Sequence, residues 1–340
     1  MTMTACPKRM EFGPCGGVRP SGACELGEDL PCPWTDGAPV RAWDGPPPPA
    51  PTVVPGGLLD TAAHRPVVLS DLSVPARDPA TMRAVAARLA TSADALLVAD
   101  LHDRADFPPT MLAAQLLDVG VRPWVTLTCR DRNRVSMEQE MVGLAALGVE
   151  GVLCVTGDSR PGSGAAAAVS AGAAQVFDLD ATRETHLAAT AGLVASVALA
   201  PAAPPRAARL GALLAKQAAG ARLVVVNHVG SPAVLADFLT TARAAGMTLP
   251  VIAGVAVYTD EATARGLATL PGLDLSPDAV RAVLDAPDQR EAGIAAAVDE
   301  ARAMLAVDGV VGVNLSGVGS SAGWVPAADV KAEVAGRLRG

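Results

Sequence analysis

Aromatic side chains are scarce in this chain: one tyrosine, four tryptophans and four phenylalanines among 340 residues. Few rings are left to stack on a flat ligand, and the core must be aliphatic. Basic residues do not dominate either. Lys and Arg total 27 against 35 Asp and Glu, giving a net charge of −8 and a pI near 5.0. A nucleic-acid binder normally shows a basic face, so no nucleic-acid partner is expected. The apolar runs are broken by Gly, Pro or Arg well short of a bilayer span, so no membrane association is expected. The first residues include Lys8, Arg9 and Glu11 but no apolar h-region, so no signal peptide is read and the expected compartment is the cytoplasm. There is no Gly-x-Ser-x-Gly elbow, no Gly-x-x-x-x-Gly-Lys-Ser/Thr loop and no His/Glu constellation for a metal.

What is there begins with cysteine. Four of six lie in the first 32 residues: Cys6, Cys15, Cys24 and Cys32. Their spacing is C-x8-C-x8-C-x7-C, amid a run such as Gly13-Pro-Cys-Gly-Gly17. A segment this small and Gly-rich cannot build its own hydrophobic core. In a reducing compartment four thiols point to a metal, either tetrahedral zinc or an iron–sulfur cluster. The alternative is a loose arm of thiols, since the close C-x2-C pairs of common zinc ribbons are missing. Residues 1–37 are therefore expected to form a cysteine-rich metal-binding module. Residues 38–65, with Pro46-Pro-Pro-Pro49 and Gly56-Gly57, read as a stiff linker.

From residue 66 onward short Val/Leu-rich stretches alternate with helical ones. Strands are expected at Val67–Ser70, Ala95–Ala99, Trp124–Thr128, Gly151–Val155, Val194–Leu199, Leu223–Val226, Val251–Val255 and Val310–Asn314. Continuous apolar runs of this length suit parallel strands buried on both faces. Helices are expected between them, with Gly220 and Gly246 at C-cap positions. Eight such units over residues 66–340 give the size of a (β/α)8 TIM barrel, with a doubly wound open sheet as the alternative. Residues 163–174 are Gly/Ala-rich and expected to be a loop.

The stretch from Pro123 to Asp158 organises the rest. Two strands end in polar residues: Arg130-Asp-Arg-Asn133 and Thr156-Gly-Asp158. Ligands of parallel α/β folds sit beyond the carboxyl ends of strands. The other strand ends offer Asp71, Asp100 with His102, Asn227 with His228, Tyr258, and Asn314 with Ser316. The competing account of the Arg-Asp-Arg corner is a surface loop closed by its own ion pairs. Cys129 and Cys154 read as buried strand cysteines.

Leu127-Thr-Cys-Arg-Asp-Arg-Asn-Arg134, Gly143-Leu-Ala-Ala-Leu-Gly148, Val155-Thr-Gly-Asp158 and Val176-Phe-Asp-Leu-Asp180, in that order, resemble the methylenetetrahydrofolate reductase family. The likeness covers about residues 66–318 and is greatest to the branch fused to homocysteine methyltransferases. Cys6-Pro-Lys8 and Gly13-Pro-Cys-Gly-Gly17 resemble a small cysteine-rich module that accompanies some bacterial reductases. The resemblance implies a TIM barrel that reduces 5,10-methylenetetrahydrofolate to 5-methyltetrahydrofolate, with hydride from NAD(P)H through FAD or directly. It places Asp71 where the family has its proton-donating Glu, Asp158 at the pterin- or flavin-contacting Asp, Lys216 at a flavin-phosphate contact and Asn227 at the folate-binding Gln. Thr126 stands where the family has a flavin-contacting His, and Thr156 joins it as a cofactor contact.

The leading expectation is thus an oxidoreductase acting on folate, with Asp71 as proton source, Asp158 and Asn227 on the pterin, and a homo-oligomeric state. The rival is a folate-binding or electron-relay subunit whose cysteine module docks a methyltransferase or corrinoid partner.

Overall fold

A computed structural model describes residues 6–10, 18–19, 21–34, 54–101, 104–157, 179–201, 206–269, 273 and 275–340. Cys15, His102, Asp158 and the Gly/Ala-rich loop at 163–174 lie outside the described residues. The chain begins with a small antiparallel pair, β1 (Ala23–Cys24) and β2 (Gly27–Pro31). The short helix α1 (Leu58–Ala62) follows. Then come β3 (Val67–Leu72), α2 (Pro79–Leu89), β4 (Ala95–Val98), α3 (Pro109–Asp118), β5 (Pro123–Thr128), α4 (Arg134–Ala146) and β6 (Gly151–Val155). The second half holds α5 (Ala181–Thr190), β7 (Val194–Leu199), α6 (Arg206–Ala218), β8 (Leu223–Val226), α7 (Pro232–Ala244) and β9 (Val251–Ala256). It ends with α8 (Glu261–Ala268), α9 (Pro277–Leu284), α10 (Gln289–Leu305), β10 (Val310–Ser316) and α11 (Trp324–Arg339).

Strands β3 to β10 close into an eight-stranded barrel, every neighbour parallel, with β10 pairing β3. This settles the choice between barrel and open sheet. The expected strand positions agree to within two residues. Helix boundaries follow local chemistry. Asp78, Asn133, Asp180 and Asp288 cap α2, α4, α5 and α10 by accepting first-turn backbone amides. Gly220 and Gly246 take positive φ after α6 and α7.

The lower half of the barrel is filled by inward residues of the strands, including Val67, Leu69, Leu97, Trp124, Leu223 and Ile252. Trp124 crosses this interior and its indole N–H donates to Ser196 Oγ at 2.8 Å. Gly151 makes the room: a Cβ there would sit 2.3 Å from the indole ring. Leu58 of α1, fully buried, plugs the floor, and the Glu150 carboxylate accepts its backbone amide at 2.7 Å. The last part of the stretch expected as linker is therefore helical and packed on the barrel. Among the described residues no helix is long and apolar enough to cross a membrane.

Candidate active site at the barrel mouth

Side chains alternate along each strand, so the row that fills the floor continues upward to the mouth. Above Leu69, Trp124, Leu153 and Val225 it presents Asp71, Thr126, Val155 and Asn227. On β10 the outer cluster takes Val313 and Leu315, which turns Asn314 and Ser316 inward. Sequence-expected Asp71, Thr126 and Asn227 thus share one ring at the carboxyl end of the barrel. Asn227 also extends the sheet, its amide donating to the Leu199 carbonyl at 2.8 Å.

Asp71 is held from two sides. Asn314 Nδ2 donates to its Oδ1 at 2.7 Å, and Lys331 Nζ of α11 donates to its backbone carbonyl. Burial pushes the Asp71 carboxyl above the usual carboxylate range, against the pull of Lys331 and of hydrogen bonds from Asn314 and Ser316. Lys331 is 3 % exposed, and burial brings its ammonium down to about 8 while Asp71 supports the charge.

The Arg-Asp-Arg corner is closed in part by its own ion pair, Arg130 Nε lying 3.6 Å from the exposed Asp131, and in part by Asp100. Asp100 accepts from Thr128 Oγ1 at 2.8 Å and pairs with Arg132, and Arg130 lies 3.6 Å away. Arg130 is 3 % exposed and also donates to the Leu101 carbonyl at 3.1 Å. The corner clamps the loop after β4 to that after β5. Asp131 takes φ +59° within it. Asn133 does not join the mouth: its side chain accepts from Ser136 N at 3.0 Å and caps α4. Beside Thr126 a cavity of about 280 Å³ is lined by Asp100, Arg104, Asp106, Arg132 and Glu140. Three carboxylates face the two guanidiniums on its wall, and Arg132 is already paired with Asp100, so the cavity is not a cationic site for a phosphate.

Other expected residues sit at the periphery. Thr156 is exposed, and its hydroxyl accepts the Ala181 amide at 3.2 Å, tying the loop after β6 to α5. Lys216 reaches the Ala198 carbonyl at 3.4 Å, in the field of Cys154 and Glu184. His228 is buried, its Nε2 meeting Glu300 of α10 at 2.5 Å. Cys129 and Cys154 are buried; Cys129 Sγ donates to Glu184 Oε2 at 3.4 Å. Burial and the Glu184 carboxyl raise both thiols, and burial raises Glu184 itself. In the N-terminal segment Cys24 and Cys32 are buried and Cys6 is half-buried. Among the described residues no group of three or more His, Cys, Asp or Glu side chains is placed to hold a metal ion.

Sequence reasoning missed Lys331 and Glu184. Both carried a signal: each lies in the buried stripe of its helix, with Ala328 and Ala335 around Lys331, and Ala181 and Ala188 around Glu184.

The model of the family described as methylenetetrahydrofolate reductase matches residues 103–320. A second, described as methylene-tetrahydrofolate reductase C terminal, matches residues 1–39, at the opposite end of this chain. No curated protein sequence matches the chain. Among solved structures, an uncharacterised protein from Clostridium thermocellum that binds two copies of 5-methyl-5,6,7,8-tetrahydrofolic acid is similar, with TM-score 0.60 and 11 % identity. It aligns over 83 % of this chain and 98 % of its own. EDTA monooxygenase from Chelativorans sp. BNC1 is similar at TM-score 0.50 and 13 % identity, over 81 % and 94 %. At these identities the likeness speaks for the barrel alone. The family model spans more than half of the chain, and with the barrel it supports one conclusion: the chain belongs to the methylenetetrahydrofolate reductase family.

Proposed function

We propose that the chain reduces 5,10-methylenetetrahydrofolate to 5-methyltetrahydrofolate at the mouth of the barrel. The observation that carries this is Asp71: an inward, half-buried carboxyl, raised above the usual carboxylate range by desolvation and oriented by Asn314. Opening the five-membered ring breaks the bond from the methylene carbon to N10, and N10 must take a proton. A hydride then adds to the methylene carbon, and NAD(P)H leaves as NAD(P)+. Asp71 gives the proton to N10, as a general acid with a raised pKa can do near neutral pH. Asn227 on the mouth ring and Asp158, outside the described residues, hydrogen-bond the pterin edge. Thr126, Thr156 and Lys216 are the residues proposed to hold FAD, which when bound relays hydride between nicotinamide and folate. The similar folate-binding protein from Clostridium thermocellum supports folate as the ligand class.

The match over residues 1–39 supports treating residues 1–37 as a separate module. Its four cysteines are proposed to hold zinc or an iron–sulfur cluster.

The test is purification without oxygen, a visible spectrum, and an assay for methylenetetrahydrofolate-dependent oxidation of NADH or NADPH, with and without added FAD. Formation of 5-methyltetrahydrofolate, identified by mass, supports the reductase. Folate binding without turnover under every donor supports the binding-subunit alternative instead.

A further inference from the structure

The family match ends at residue 320, but the molecule sends one more charged group to the mouth from beyond it. Helix α11 packs between α2 and α10 and buries Ala328, Val330, Val334 and Ala335. Lys331 lies in the same buried surface. A lysine is almost never buried to this degree unless it is paired, and a leucine or methionine would fill the position at less cost. Its stem passes the end of β10 at Gly317, where a Cβ would lie 3.5 Å from Lys331 Cδ and 3.1 Å from the Val257 carbonyl. Its ammonium ends on the backbone carbonyl of Asp71, 260 residues earlier in the chain. From the other side of the same seam Asn314 holds the carboxyl and also donates to Ser316 Oγ at 3.2 Å. Ser73 Oγ closes the seam further up by donating to the Gly317 carbonyl at 2.5 Å.

We propose that Lys331 is a positioning residue for Asp71: delivered by α11 through the seam between β3 and β10, it fixes the end of β3 and sets the pH at which Asp71 releases its proton. The groups facing Asp71 are Lys331 from α11 and the neutral Asn314 and Ser316 from β10; among the described residues, the charge acting on it is that of Lys331. A cation at this place holds the carboxyl down, and its removal lets burial push the carboxyl further up. The coupling stands independently of the substrate. Its consequence for turnover rests on the reductase function proposed above.

The experiment is a carboxyl titration of the full-length protein by infrared difference spectroscopy, with Asp71→Asn as the blank. In Lys331→Met the Asp71 carboxyl is expected to release its proton at higher pH than in the wild type, and Lys331→Arg to return it toward the wild-type position. Thermal unfolding of each variant checks the fold. If Lys331→Met does not fold, Lys331→Gln gives the same readout with a polar head retained. Coincident titrations in the wild type and the neutral variant overturn the proposal. In steady-state assays the alkaline limb of the pH profile should move up with the titration. At the optimum kcat should fall at least about tenfold, with KM within about twofold, because the displaced acid acts on the chemical step. A shifted titration in a protein that never turns over methylenetetrahydrofolate refutes the reductase function and leaves the positioning of Asp71 by Lys331 standing.

Discussion

Asn314 and Asp71 face each other across the seam where the last barrel strand meets the first, with Nδ2 2.7 Å from Oδ1. The amide donates to one carboxyl oxygen, and Ser316 adds a second hydrogen bond to the carboxyl. A half-buried acid held in this way has a fixed orientation at the mouth. Replacing Asp71 with Asn should lower kcat/KM for methylenetetrahydrofolate by about 10²–10⁴-fold, the usual contribution of a positioned general acid. Binding of 5-methyltetrahydrofolate, measured by calorimetry, should persist. Turnover at the wild-type rate in that variant would remove Asp71 from the chemistry.

The pH profile follows from the direction of the same shift. Asp71 acts in its protonated form, and burial extends that form above the usual carboxylate range. Activity should therefore be lost as pH rises through the carboxyl's own titration. In Asp71→Asn the residual rate should lack that limb.

Lys331 also leaves a mark on stability. Its folded value is about 8, below the usual 10.5. Between those two values the unfolded chain binds more protons than the folded one, so stability rises with pH. The penalty for burying the ammonium is fully present below pH 8 and is relieved toward 10.5. Urea unfolding across this window should show the rise in the wild type. It should be smaller or absent in Lys331→Met.

The corner around Asp100 predicts a stability effect without a demand on catalysis. Removing the carboxylate in Asp100→Ala leaves Arg130 and Arg132 without their shared anion. Because Arg130 keeps Asp131 at 3.6 Å and the Arg132 pair is partly exposed, the loss should be about 1–3 kcal/mol. Chemical denaturation should report a loss of that order, and Asp100→Asn should recover part of it by keeping the Thr128 contact.

In the barrel floor, Gly151→Ala places a methyl against the Trp124 ring. Overpacking of this kind costs about 1–3 kcal/mol. Trp124→Ala, which empties the space and leaves Ser196 with only its bond to the Val152 carbonyl, should cost about 3–5 kcal/mol. In the double variant the two losses should add to less than their sum, because the clash needs the ring.

Cys129 and Cys154 should be inert. Their thiols are buried and raised by burial and Glu184, and only a thiolate is nucleophilic. Alkylation of the native protein should spare both and label them after denaturation. Rapid native labelling of either would contradict the burial seen here.

The order of strands and helices and most of their ends were determined by the sequence alone. Runs such as Leu223–Val226, recurring between helical stretches, fit strands covered on both faces, and Pro79, Gly220 and Gly246 mark helix ends by backbone chemistry that acts within a few residues. The sequence also placed Asp71 and Asn227 at strand ends, but strands apolar on both faces do not show which of their residues point inward. Tertiary structure alone decided what those residues meet. Asp71 lies 243 residues from Asn314 and 260 from Lys331, and only closure of β10 on β3 brings them together. The fate of the Arg130 corner was decided the same way: in sequence it is a charged loop, and burial against Asp100 turns it into a clamp. Local patterns are set by forces along the chain, whereas a charge's partner and its solvation depend on which distant surface packs over it.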